Sequence, residues 1–135
     1  MNWAAARSQH ALADALTPLG LDPRRYGLIV VAATAPGATQ QELAAFAQID
    51  PSTLVELIDK LEAAGLAERR PHPDDRRKRA IYLTDRGEAA LAEARVAVQR
   101  IGDELTRRLT DKERAELTRL VQKLTAPGAD QALRT

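Results

Sequence analysis

The stretch TQQELAAFAQIDPSTLVELIDKLEAAG, residues 39 to 65, constrains this chain more than any other, because it carries two helix-start signals and a stop within one short span. Thr39 and Glu42 have the spacing at which a hydroxyl and a carboxylate each satisfy a free amide at a helix start, so a short helix runs from Gln40 to about Ala47. Gln48, Ile49 and Asp50 leave room only for a tight turn before Asp50 and Pro51 give a second start, an N-cap followed by a first-turn proline. In the helix that follows, Leu54, Leu57, Ile58 and Leu61 fall at i, i+3, i+4 and i+7, and Gly65 ends it. One face of that helix is core. The opposite face presents Ser52, Glu56 and Asp59, with Thr53, Val55 and Lys60 on its shoulders.

From Leu66 the period changes from helical to alternating. Residues 67–71 and 79–84 read as two short strands joined by HPDDRRK, a loop longer than a two-residue hairpin turn. Tyr82 points opposite to Ile81 and Leu83. Six of the twenty Lys and Arg residues lie between Arg69 and Arg79, against two aspartates, a local +4 in a chain whose net charge is +1. The whole molecule is therefore no polycation, but one hairpin is. A helix-turn-helix followed by a basic β-hairpin is the winged-helix arrangement.

Around this centre the pattern is helical. Leu12, Leu16 and Leu19 form a stripe in a first helix over Ala4 to Thr17, and Asp22 with Pro23 starts a second that reaches about Thr34. Thr84 caps a long helix from Asp85 to about Leu109, along which Leu91, Ala94, Val98, Ile101 and Leu105 make a seam suited to pairing with another helix or to packing within the chain. Thr110 and Glu113 repeat the capping box, and Leu117, Leu120, Val121 and Leu124 line one face up to Pro127 and Gly128. The fold class is mainly α with a small β-hairpin.

Composition agrees with one compact domain or a two-lobed chain completed by a partner: 135 residues, 44% hydrophobic, with Trp3, Tyr26, Phe46 and Tyr82 as the aromatics. The absence of cysteine excludes disulfides, thiolate metal sites and a thiol redox sensor. The longest apolar run, Leu28 to Ala35, is far short of the roughly 20 residues that cross a bilayer. The expectation is no membrane partner and a cytoplasmic location. Catalysis has little support: His10 and Asp14 share a helix face without a third ligand, His72 sits in the hairpin loop, and neither Ser8 nor Ser52 lies in a nucleophile motif. The expectation is no enzyme, metal or cofactor.

The segment LEAAGLAERRPHPDDRRKRAIYLTDRG resembles the core signature of the MarR family of bacterial transcriptional regulators, with DDRR followed by LTDRG as its more specific part. The resemblance runs from about Leu19 to Ala94. It implies a single domain over 1–135, with a winged helix-turn-helix DNA-binding lobe at 22–90. Flanking helices at 1–21 and 91–126 would form a dimerisation lobe, and 127–135 a loose tail. It also implies a homodimer on a pseudo-palindromic operator, commonly a repressor released by a small molecule. The effector would be a small aromatic or phenolic acid, with Trp3, Arg7, His10, Arg25 and Tyr26 as candidate contacts.

The residues themselves supply a physical case for duplex DNA. A helix fits the major groove, and guanidinium groups suit the negative potential of a narrow minor groove. The candidate DNA contacts are Gln40, Ser52, Thr53, Val55, Glu56 and Lys60 on the helices, and Arg76, Arg77, Lys78 and Arg79 on the hairpin, with Arg77 at its tip. Hydroxyls near the helix start can reach bases or phosphates, and the helix's amide end also favours phosphate. Asp75 is expected to brace Arg77 rather than to touch DNA, as the family's Asp-x-Arg pair implies. Glu56 either accepts from a cytosine amino group or salt-bridges a neighbour. The acidity of its helix leaves a rival open, a winged-helix protein-interaction module that binds a protein without specific DNA recognition.

Overall fold

The structure, a computed structural model, describes residues 2–125, the side chains of 2–5, 8 and 125 excepted. The Trp3 side chain and the tail over 127–135 lie outside what is described. The elements in order are α1 (Asn2–Leu16), a 3-10 turn (Thr17–Leu19), α2 (Pro23–Thr34), α3 (Gln40–Ala47), α4 (Pro51–Ala63), β1 (Ala67–Pro71), β2 (Arg79–Leu83), α5 (Asp85–Leu105) and α6 (Asp111–Thr125). The chain divides into two compact units, residues 1–101 and 102–135.

In the first unit the core forms where the apolar faces of α2, α3 and α4 meet. Leu28, Ile29, Leu43, Leu54, Ile58 and Leu61 are essentially inaccessible to solvent, and Leu16 of α1 and Ile81 of β2 close the cluster. Burying a side chain of this size contributes about 1.5–3 kcal/mol. The capping box at α3 is made as the spacing requires: the Glu42 amide donates to Thr39 Oγ1 at 3.1 Å, and the Thr39 amide donates to Glu42 Oε2 at 3.2 Å. Gln48 then takes a left-handed conformation, φ 53°, which turns the chain sharply toward α4.

β1 and β2 pair antiparallel with Ala67 opposite Leu83 and Pro71 opposite Arg79. A third length of backbone joins the hairpin, since Gly37 donates to the Ile81 carbonyl at 3.0 Å and Ile81 donates to the Ala38 carbonyl at 2.9 Å. This pins the hairpin to the α2–α3 connection as well as to α4. Tyr82 crosses over Gly37, whose φ of +80° and whose 2.8 Å from a would-be Cβ to the Tyr82 hydroxyl both favour glycine there.

α5 departs from the sequence reading in where it ends and in how its apolar seam is used. α5 stops at Leu105 rather than Leu109: the Thr106 amide makes the last helical bond, to the Gly102 carbonyl, and Leu109 then donates only three residues back, to the Thr106 carbonyl, which closes a tighter turn. The apolar seam of α5 also divides: Leu91 and Ala94 are buried in the first unit's core, whereas Leu105 is exposed. In the second unit α6 opens on its predicted capping box, with Glu113 donating to Thr110 Oγ1 at 3.2 Å and Thr110 donating to Glu113 Oε1 at 3.0 Å. Leu117, Leu120 and Leu124 on this helix are exposed.

Candidate nucleic-acid interface

The outward face of α4 begins under the control of its own cap. Asp50 Oδ2 accepts from the amides of Ser52 at 3.1 Å and Thr53 at 3.3 Å, and from the Ser52 hydroxyl. The Ser52 hydroxyl, then the Thr53 amide, hold the Asp50 carboxyl below the usual carboxylate range. The amide end that the sequence reading left open to a phosphate is thus occupied by a carboxylate of the chain itself. Along the helix Val55, Glu56 and Lys60 are exposed and Thr53 is half-buried.

The acidity of α4 is countered from the neighbouring strand. Arg69 on β1 has a side chain only 18% exposed, and its guanidinium meets Asp59 Oδ1 at 2.7 Å and Glu62 Oε2 at 2.7 Å. Its Nε donates to Gln40 Oε1 on α3 at 2.6 Å, and its backbone amide donates to the other Glu62 oxygen at 3.0 Å. Gln40, a candidate DNA contact, therefore has its carbonyl oxygen engaged within the lobe. Arg70 is also held, paired with Glu68 and stacked 4.4 Å from the centre of the Tyr82 ring.

Sequence reasoning counted these two arginines with the basic run and missed their internal roles. The signal was strand parity: Arg69 shares a face with buried Ala67, so it points toward α4, where Asp59 and Glu62 are spaced one turn apart. Arg70 lies diagonally across the hairpin from Tyr82, within reach of a long side chain.

The remaining cations project from the hairpin loop. His72 donates to the Lys78 carbonyl and Lys78 to that of Asp75, both at 3.0 Å, which closes the loop. Asp75 Oδ1 accepts from the Arg77 amide at 3.0 Å and from Arg77 Nε at 3.2 Å. That amide first, and the guanidinium second, lower the Asp75 pKa from its ordinary value. The Arg77 side chain is nonetheless 92% exposed, so the carboxylate aims it without covering it. Arg76, Lys78 and Arg79 are exposed beside it.

The LTDRG motif holds the base of this hairpin. Thr84 Oγ1 donates to the Gly65 carbonyl at 2.6 Å and accepts from the Gly87 amide at 3.0 Å, while the Thr84 amide donates to the Leu66 carbonyl at 3.1 Å. One residue thus caps α5 and ties it to the end of α4. The approach is so close that a Cβ at Gly87 would lie 1.9 Å from the Leu66 carbonyl oxygen.

The effector candidates are not gathered in the same way. Arg25 is bound back to its own surroundings, with Nε donating to Asp22 at 3.1 Å and Nη1 to the Gly20 carbonyl at 3.0 Å, where it locks the entry to α2. Tyr26 is half-buried against the core, and Arg7 and His10 are exposed on α1. Among the described residues no group of three acidic, His or Cys side chains is arranged to hold a metal, and no helix is long and apolar enough to cross a membrane.

Comparison with known proteins places this geometry in a family. A family model described as "MarR family" matches residues 19–78. The chain is 37% identical over 108 residues to a protein of Thauera aromatica assigned as a transcriptional regulatory protein for an hcr operon, covering 80% of this chain and 65% of that one. It is 33% identical over 119 residues to the transcriptional regulator HosA of Escherichia coli O111:H-, covering 88% of this chain and 84% of HosA. The crystal structure of a mutant MarR from E. coli complexed with operator DNA superposes with a TM-score of 0.77 at 28% identity, covering 92% of this chain and 89% of that one. With a helix-turn-helix, a basic wing and these relatives together, the chain belongs to the MarR family of winged-helix proteins.

Proposed function

We propose that this chain is a sequence-specific DNA-binding transcriptional regulator that acts as a homodimer on double-stranded DNA and is released by a small aromatic or phenolic acid. The observation that carries the reading is the wing: four cations at Arg76, Arg77, Lys78 and Arg79 are exposed, and the one at the tip is aimed by Asp75. In this reading α4 enters the major groove, where Ser52, Thr53, Val55, Glu56 and Lys60 face base edges or phosphates and Gln40 lies at the margin. Arg77 enters the adjacent minor groove. Arg76, Lys78 and Arg79 meet phosphates and supply affinity with little sequence information. The regulators named among the relatives support the same reading, as does MarR complexed with its operator.

A homodimer is favoured by the exposed leucine row of α6, Leu117, Leu120 and Leu124, which is apolar surface suited to a second copy. The protein-interaction rival was motivated by the acidity of α4, and the pairing of Asp59 and Glu62 with Arg69 removes much of that motive. For the effector, Arg25 is the weakest of the candidates because its guanidinium is already engaged.

A titration of the protein against the duplex upstream of its own gene, at several salt concentrations, tests the proposal. The expected result is binding tighter than to a scrambled duplex at every salt concentration. Affinity should also fall steeply as salt rises, as counterion release from several phosphates requires. Equal affinity for the two duplexes would remove sequence-specific regulation.

A further inference from the structure

The basic run and the acidic helix meet at one side chain. Arg69 on β1 touches α3 through Gln40, and α4 through Asp59, Glu62 and the Val55 carbonyl, the last at 3.4 Å. All three elements of the reading head are therefore joined by a single guanidinium. Its planar fork lets one residue satisfy two carboxylates and an amide oxygen in fixed directions, which the point charge of a lysine does not do.

Two physical consequences follow for a polyanionic partner. Residues 51–63 carry Glu56, Asp59 and Glu62 against Lys60, so without Arg69 the helix presents a net charge of −2 to the phosphates. With Arg69 in place the carboxylates at 59 and 62 are paired, whereas Glu56 stands exposed on the outward face. The second consequence is geometric. Besides the backbone bonds at Ile81 and Thr84 that hold the hairpin's base, Arg69 is the side chain that ties β1, and with it the Arg76–Arg79 cations, directly to α4.

We propose that Arg69 is the positioning residue of the DNA-binding surface, fixing the wing against α4 and cancelling two carboxylates that would repel the duplex. The inference rests on the DNA-binding reading above and deepens it. Arg69 does not contact DNA. It decides whether the wing and α4 engage the same duplex in register, and so it governs discrimination between sequences more than general attraction to phosphate.

The test uses the full chain and a duplex selected by the wild-type protein from a random-sequence pool, with a scrambled duplex alongside. Three variants are compared: Arg69→Met, Arg69→Lys, and Arg69→Met combined with Asp59→Asn and Glu62→Gln. Thermal melting gives the folded fraction, by which each affinity is corrected. In Arg69→Met the ratio of selected to scrambled affinity should fall by about tenfold or more, the loss of roughly one good base contact. The triple variant, which removes the unpaired carboxylates but not the missing fork, should recover affinity for scrambled duplex without recovering the ratio. Arg69→Lys, which keeps the charge and loses the fork, should behave like the triple variant.

An unchanged ratio in Arg69→Met, with both affinities falling together or neither falling, overturns the positioning role. Full recovery of the ratio in Arg69→Lys overturns the need for the fork. Failure of the wild type to enrich any duplex is a separate outcome, which overturns the DNA-binding reading on which the inference rests.

Discussion

In the proposed reading Arg77 is the cation that meets the duplex and Asp75 is its brace. The carboxylate accepts from both the amide and the Nε of Arg77, yet leaves the side chain almost wholly in solvent. Arg77→Ala should therefore weaken duplex binding and reduce the steepness of the salt dependence by about one counterion, which a salt titration by fluorescence anisotropy reads directly. Asp75→Ala should also weaken binding although it removes a negative charge from the loop proposed to meet the phosphates, because the arginine loses its orientation. Tighter binding by Asp75→Ala would show that simple charge outweighs aim. Gly87 makes a different demand, since any side chain there collides with backbone at Leu66 rather than with a movable group. Gly87→Ala should lower stability by about 3 kcal/mol, measured by chemical denaturation. A variant as stable as the wild type would mean that α5 is free to move away from the end of α4.

Each element obeys local chemistry where its residues interact with near neighbours, and departs from expectation where the partner is distant in sequence. The capping boxes at Thr39 and Thr110, the Asp50–Pro51 start and the hairpin over 67–83 were legible because each rests on contacts a few residues apart. The engagement of Arg69 and Arg70 by partners within the chain was not visible in a count of charges, because those partners depend on how β1 lies against α4 and β2. The same holds for Leu91 and Ala94, which periodicity left open between a partner helix and the chain's own core.

The α4 cap yields a prediction at this scale. The folded pKa of Asp50 is lowered, so its contribution to stability is complete above the ordinary carboxylate range and is lost as pH falls through the depressed value. Thermal melts from neutral to acid pH should show a smaller acid-side loss in Asp50→Asn, whose side chain still caps but does not titrate. An identical acid limb in both proteins would remove Asp50 from the linkage.

At the scale of the whole molecule, specific regulation as proposed needs two reading heads on one duplex, since a single short helix and a single wing bind too small a site to specify an operator. A twofold dimer would set two copies of α4 in successive major grooves, about 34 Å or 10 base pairs apart. Among the described residues the leucine row of α6 is one exposed apolar surface that such an assembly could cover. Selection of duplexes from a random-sequence pool, followed by footprinting of the enriched sequence, tests this most directly. The expected result is an inverted repeat protected in two related half-sites, centred about one helical turn or a whole multiple of it apart, with two chains bound per duplex. Enrichment of no sequence, or of a single unrepeated site bound by one chain, would contradict it.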